Sequence, residues 1–509
     1  MPAQPKSNFD RFLRPILASR YLVVAVLFHL LIIILFGGKA LFSHYVEPPD
    51  FQATGDTMVA TDSAPPAPPP DATLPPTSTD PSTNAPPPLP APSLMAMASL
   101  NPTATSFSVP IPAIPPPTIG KEFTSQPTSQ FSTANAVALP GAMAGRGTGR
   151  NGTGARFGEK PPAEDAVMKA LRWLQSQQQS SGKWGSAKYT NAFTGLALLC
   201  YLGHGETPQG SKEFSVVVTN AINALVDLGN QKQGRLISAA DFSKDNDSAY
   251  EHAICTYALC EAYTMTKDPR LEPLVRQAVD YIVKAQRPDG GWTYKYDTSP
   301  DEPKEKEYKS DTSVSGWQIQ ALKAAHLTGL DGMEQEVRPV LDNAMKNLDR
   351  VFNEKDGTYG YRKAGDSYNG HGMRSHNLTG VGALSKLFWL GRVDKDTRAA
   401  FKDIESSDLN YNAPTCDLYA WYYDTQACFQ AQGSAWQWWN SRFQDLLTSV
   451  QSTDGSWPAP AAKTSGNYDA NGDGPLYRTT LCCLMLEVFY RYLPTSEVGG
   501  MQNGPVQGL

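Results

Sequence analysis

The chain has 509 residues and a formal net charge of −6. It carries no basic block and no basic stripe with interleaved aromatics, which argues against nucleic acid as a partner. Its seven cysteines show neither CxxC nor zinc-type Cys/His spacing; most sit in apolar, small-residue runs, where a free thiol packs as a small hydrophobe.

Residues 1–20 form a short tail bearing Lys6, Arg11, Arg14 and Arg20. Tyr21 to Gly38 follows without a charge. As a helix this stretch spans about 27 Å, near the thickness of a bilayer core. The excess of basic residues ahead of it places the N-terminus in the cytoplasm and the remainder outside. The run is long for a cleaved signal peptide and GGKALFSHY lacks a small-x-small cleavage site, so the expectation is an uncleaved signal anchor over 21–42 in the inner membrane. His29 is the one polar side chain within it, and an ionisable residue at that depth is a functional candidate. Tail, span with histidine and proline-rich tether together resemble TonB-type energy transducers. That resemblance implies a proton-motor partner acting through the span, but Ala25 stands where those spans carry serine.

Of 41 prolines, 23 lie between Glu47 and Lys160, in runs such as PPAPPP and VPIPAIPPP, followed by GRGTGRNGTG. Such composition buries too little apolar surface to offset the entropy of ordering. A disordered tether is therefore expected over 43–160, able to reach from about 60 Å to a few hundred Å.

The last 330 or so residues are large enough for a substantial core. Here a segment recurs: WLQSQQQSSGKW ending at Trp184, YIVKAQRPDGGW at Trp292, LDRVFNEKDGTY at Tyr359 and LLTSVQSTDGSW at Trp457. Two of the three intervals are about double a unit of roughly 50 residues, which predicts worn copies near LVDLGNQKQGRL and DIESSDLNY and six units in all. Each unit pairs an amphipathic helical pattern with one that is apolar nearly all round. The first kind belongs to an outer ring and the second to a buried inner ring. The fold predicted for 161–494 is thus an all-α, closed (α/α)6 toroid of six helical hairpins, with a disordered tail over 495–509.

Aromatic-Leu/Ile-x3-Gln-x3-Gly-x-Trp resembles the repeat of squalene-hopene and oxidosqualene cyclases, and related hairpins build protein prenyltransferase β subunits. The residues that carry it are Gln178, Trp184, Gln286, Trp292, Gly357, Tyr359, Gln451 and Trp457, with Asn353 and Tyr359 as substitutes in the third copy. Their expected role is structural. Glycine supplies a permissive backbone past the outer helix, glutamine satisfies loose backbone groups and tryptophan covers the turn.

The chemistry of those families is largely missing. The resemblance implies an Asp-x-Asp-Asp-Thr acid, where a flanking carboxylate keeps the donor protonated. The nearest segment is YKSDTS, with Asp311 and Thr312 in the last two slots but Ser310 and Tyr308 in the others. Asp311 is the best catalytic candidate. A transferase zinc triad is absent too: Cys416 directly precedes Asp417, and no histidine follows. No cofactor is expected.

Polar residues gather at the starts of the inner helices, which converge on one mouth of a toroid. Tyr250, Glu251, His252, Asp311, Arg374, His376, Asp417, Tyr419, Tyr422 and Arg478 form the candidate ligand-binding rim. Helix capping explains the aspartates but not the histidines, arginines or tyrosines. Asp469, Asn471 and Asp473 have the spacing of half a calcium loop, yet Thr480 occupies the position of the bidentate acid. The expected function is a membrane-anchored, extracytoplasmic binding or scaffold module for an unknown protein or an apolar, isoprenoid-like ligand. The alternative is an enzyme, either a divergent terpenoid cyclase or a carbohydrate-active hydrolase or lyase.

Overall fold

Amphipathic and uniformly apolar segments alternate along the chain and fold as alternating outer and inner helices. The computed structural model describes residues 137–186, 188–240, 242, 248–296, 310–366, 377–413, 416–460 and 473–501. All belong to the second of two units, Glu122–Leu509. The expected span over 21–42 and the tether up to residue 136 lie outside the described residues. Among the described residues, no helix is long and apolar enough to cross a membrane.

After a short helix α1 (Arg150–Phe157) come the outer helix α2 (Pro161–Gln177) and the inner helix α3 (Thr190–His204). Outer α4 (Ser215–Gln231) and inner α5 (Ser248–Thr266) follow, then outer α6 (Leu271–Lys284) and inner α7 (Thr312–His326). Next are outer α8 (Met333–Val351), inner α9 (Thr379–Leu390), outer α10 (Lys395–Glu405) and inner α11 (Leu418–Ala431). Outer α12 (Gly433–Val450) and inner α13 (Gly474–Leu486) complete the series, and short helices α14 (Val488–Arg491) and α15 (Thr495–Val498) end it. Each inner helix packs against the next, and α13 packs back against α3. The inner ring is therefore closed. Each outer helix lies against the inner helix that precedes it, so α2, the first outer helix, covers α13, the last inner one.

In three of its copies the recurring segment joins one outer helix to the next. Trp184, Trp292 and Trp457 are fully buried, and their indole N–H groups donate to the carbonyls of Leu174, Ile282 and Leu447 at 2.7, 2.8 and 2.9 Å. Those carbonyls belong to the last turn of an outer helix, where no intrahelical partner exists. Gln178, Gln286 and Gln451 donate to the glycine carbonyl of their own turn and also to Val217, Val340 and Ala166 in the following outer helix, at 2.9, 2.7 and 2.9 Å. Gln451 reaches α2 and so closes the outer layer. The turn glycines sit tight as well: at Gly290, with φ +90°, an added Cβ would stand 2.0 Å from the Asn343 carbonyl.

The third copy is built differently. Asn353 is one methylene shorter than glutamine, and its amide bonds Asp356 inside its own turn at 2.8 Å. A two-residue ladder, β1 (Phe352–Asn353) with β2 (Thr358–Tyr359), holds that hairpin together. The Tyr359 ring lies on Gly382 of α9, where an added Cβ would be 2.2 Å from the ring. Gly382→Ala therefore forces overpacking in a closed core. A loss of about 1–3 kcal/mol is expected in urea unfolding, and an unchanged midpoint would contradict this placement.

Two expectations are corrected. The tether does not run to 160: from Val137 the chain is packed on the domain, with Met143 fully buried, Arg146 buried, and the glycine-rich stretch forming α1. Nor is the segment after 494 disordered throughout, since Thr495–Val498 is helical and Met501 is buried. Composition misled because these segments are stabilised by the barrel's end and not by a core of their own.

Candidate functional site

Ring order decides which contacts cross the lumen. Helices α5 and α11 stand opposite one another, and α7 is separated from α11 by α9. Contacts between their side chains therefore pass through the axis. Along one face of α7, Ser313, Trp317, Gln320 and Lys323 descend a turn at a time from the mouth.

At the mouth the Tyr250 hydroxyl donates to Ser313 Oγ at 2.8 Å, and Ser313 Oγ donates to the Tyr419 hydroxyl at 2.8 Å. This chain links α5, α7 and α11 across the opening. Beneath it, Trp317 stacks on Tyr422 with ring centroids 5.4 Å apart and planes 16° apart, and Tyr423 meets Trp317 edge-on. Tyr257, Tyr422 and Tyr423 are each 0% exposed.

The floor is an ion-pair network. Arg146 makes a two-pronged pair with Glu261 of α5 at 2.8 and 3.1 Å and also donates to the carbonyls of Leu202 and Arg491. The Tyr492 hydroxyl bonds the same carboxylate. Arg491 reaches the axis, donating to Tyr257 of α5 at 2.9 Å and to Tyr422 of α11 at 3.5 Å. Burial opposes ionisation of Glu261, but Arg146 and Arg491 outweigh it and bring its pKa to about 2. Lys323 lies over the Tyr492 and Phe388 rings, 3.0 and 3.8 Å from their centroids, and burial pushes its amine well below the usual lysine range.

The residues expected at the rim divide into groups. Tyr250 and Tyr419 face the opening as described, whereas Tyr422 lies deeper and is wholly buried. His252 is also fully buried; its Nδ1 accepts from the Leu236 N–H at 3.1 Å and its Nε2 lies 2.9 Å from the Ala278 carbonyl. Burial lowers its pKa to about 4, so it packs as a neutral ring between layers. Glu251 accepts from Ser238 N–H and Oγ at 2.6 and 2.5 Å and fixes that loop. Arg478 donates to the Trp457 carbonyl at 3.1 Å. Asp417 caps α11 through the Ala420 N–H and accepts from the Asn377 amide. Arg374 and His376 lie outside the described residues.

Asp311 is 1% exposed and caps α7, accepting from the Val314 N–H at 3.1 Å. Tyr294 and Tyr361, joined hydroxyl to hydroxyl at 2.7 Å, flank it. Burial raises its pKa above the usual carboxyl range against the opposing effect of Tyr361, the Val314 N–H and Tyr294. Of the calcium candidates, Asp469 and Asn471 lie outside the described residues, and Asp473 accepts from the Ser186 N–H with both oxygens at 3.0 Å.

The floor residues were not among the sequence candidates. Their signal was a single charge within an otherwise apolar stretch: Glu261 in TYALCEAY, Lys323 in IQALKAAH and Arg491 in VFYRYL.

A titrating cluster lies just outside the floor. His204, at the end of α3, has Nδ1 2.7 Å from Glu206 and Nε2 3.1 Å from Glu164, which also pairs with Arg150. Burial works against the charged ring, yet these carboxylates outweigh it and raise its pKa from 6.5 to about 9. Burial and the charge of Glu164 raise Glu159 from 4.5 to about 8. Both groups hold protons in the folded state that the unfolded chain has released, so stability falls as pH rises. Glu159 contributes from pH 4.5 to about 8 and His204 from 6.5 to about 9. The urea midpoint should decline between neutrality and pH 9, less steeply in His204→Gln. A wild-type midpoint flat over that range would refute this assignment.

No family model matches the sequence, and no curated protein matches it either. Among solved structures, a GH76A α-1,6-mannanase variant of Salegentibacter with α-1,6-mannotriose aligns over 65% of this chain and 99% of its own, at 10% identity and TM-score 0.45. A type II terpene cyclase variant from Scytonema with geranylgeranyl dihydroxybenzoate aligns over 65% and 98%, at 11% identity and TM-score 0.43. An unsaturated glucuronyl hydrolase specific for heparin aligns over 65% and 95%, at 11% identity and TM-score 0.42. The mannanase and the cyclase are α/α-toroid proteins. The class of the present chain, a closed double ring of helices, is read from its own packing.

Proposed function

We propose that the chain is a membrane-anchored, extracytoplasmic binding module whose toroid mouth engages a partner without catalysis. The observation that carries this reading is the filled lumen: a Tyr250–Ser313–Tyr419 chain across the mouth, a Trp317–Tyr422 stack below it and ion pairs at the floor. An isoprenoid cyclase needs an open aromatic cavity to fold its substrate, and these side chains occupy that space. Half-buried tyrosines at positions 250, 294, 419 and 477 leave an amphipathic rim suited to recognition. The uncharged run from Tyr21 to Gly38 supports the anchor, and the basic tail supports an outward-facing domain.

A photo-crosslinking amino acid placed at 250 or 477 in the full chain, in its native host, tests the reading. Discrete adducts are expected from the rim and none from position 216, which is 70% exposed on the outer face. Adducts from 216 alone would overturn it.

The second reading, a divergent cyclase, rests on Asp311, a buried acid with a raised pKa beside paired tyrosines. Incubation of the full chain with squalene or a geranylgeranyl substrate is expected to yield no cyclised product. A product that disappears in Asp311→Asn would establish that enzyme and refute the binding module.

A further inference from the structure

Two of the seven cysteines meet at the seam where the ring closes. Cys200 lies on α3, the first inner helix, and Cys483 on α13, the last, and the two helices pack together. The two thiols lie within interaction distance of one another. Cys200 Sγ also donates to the Thr480 carbonyl at 3.5 Å, and Cys483 Sγ to Glu487 Oε1 at 3.5 Å. The approach is close one turn further along as well, where a Cβ on Gly203 would stand 2.3 Å from Glu487 Oε2. The pairs 200 with 483 and 203 with 487 keep the same direction and nearly the same offset. This is the register of two parallel helices, and it holds the thiols together.

We infer that Cys200 and Cys483 form a covalent cross-link site, a disulfide that fastens the first helical hairpin to the last when the chain folds in an oxidising compartment. The oxidant is a disulfide, either of glutathione or of a dithiol oxidoreductase. One thiolate attacks it to give a mixed disulfide, and the second thiolate displaces the remaining sulfur. Two electrons pass to the oxidant, which leaves as two thiols, and the protons of Cys200 and Cys483 are transferred with them. Both cysteines are 0% exposed in the closed ring, so exchange takes place before α13 docks on α3.

The assignment of an oxidising compartment rests on the extracytoplasmic reading, so two arms separate the ideas. In the first, the full chain in detergent is unfolded, refolded with oxidised and reduced glutathione, and alkylated under denaturing conditions. Two fewer alkylated cysteines than the seven of the sequence are expected, with one peptide pair joining 200 to 483. Cys200→Ser and Cys483→Ser should each restore alkylation of every remaining cysteine. Full alkylation of the refolded wild type, or a bond between any other pair, overturns the inference. In the second arm, the full chain is taken from host membranes with thiols trapped by acid. A cross-link present there supports both ideas; a cross-link formed in vitro but absent in membranes overturns the oxidising location and leaves the site standing.

Discussion

Glu261→Gln is expected to lower the unfolding free energy of the helical domain by about 3–5 kcal/mol, because it strips from two buried arginines the carboxylate that both pair with. Arg146 and Arg491 both lean on Glu261, and the side chains of Arg146 and Glu261 are wholly inaccessible. Water cannot replace the lost charge. Removing one of the stranded arginines should relieve part of the loss, so Arg146→Met combined with Glu261→Met is predicted to be more stable than Glu261→Met alone. Urea denaturation followed by circular dichroism measures both. A single-substitution loss below about 1 kcal/mol, the size of an exposed pair, would show that the floor network is solvated and not sealed. The pairing also has an acid limit. Since Glu261 is depressed from 4.5 to about 2, its stabilisation is present above pH 4.5 and is lost as pH falls toward 2.

Trp292→Ala should cost a comparable amount, about 3–5 kcal/mol, by the usual penalty for emptying a large buried aromatic site. The indole is 0% exposed, and its N–H holds the Ile282 carbonyl at the end of α6. Removing it leaves a cavity and an orphaned carbonyl together. Trp457→Ala removes the equivalent bond to Leu447. Its effect should match that of Trp292→Ala to within a kcal/mol or so, because the two turns share one geometry. Equilibrium unfolding monitored by the far-ultraviolet signal gives the comparison. A loss below about 1 kcal/mol at either site would mean that the turns ride on the barrel without holding it.

Much of the architecture was legible because it is written locally. Charged faces with i, i+3, i+4 apolar spacing marked α2, α6 and α12, and all-round apolarity marked α3, α9 and α13. The worn units near Asn230 and Asp403 resolve as outer helices α4 and α10. What stayed hidden depends on ring closure. Whether a lone charge such as Glu261 or Lys323 faces the axis or a neighbouring helix is decided by partners far away in the chain, and Arg146 comes from a stretch whose glycines read as tether. The rim was partly legible for the same reason. Tyr250 and Tyr419 reach the opening, whereas His252 and Arg478, at similar positions in their helices, turn to satisfy loop backbone.

The bond from Gln451 to Ala166 and the docking of α13 on α3 and α2 also bear on how the protein is made. Synthesis runs from the N-terminus, so α2 and α3 emerge with their last neighbours still unmade. Their apolar faces must wait for nearly the whole domain, and the contacts that complete them span some 300 residues, the kind of long-range pairing that slows folding. A chaperone would have to shield that open edge until α13 arrives. Variants truncated before Gly474 should therefore accumulate as open, aggregation-prone arcs rather than as smaller barrels.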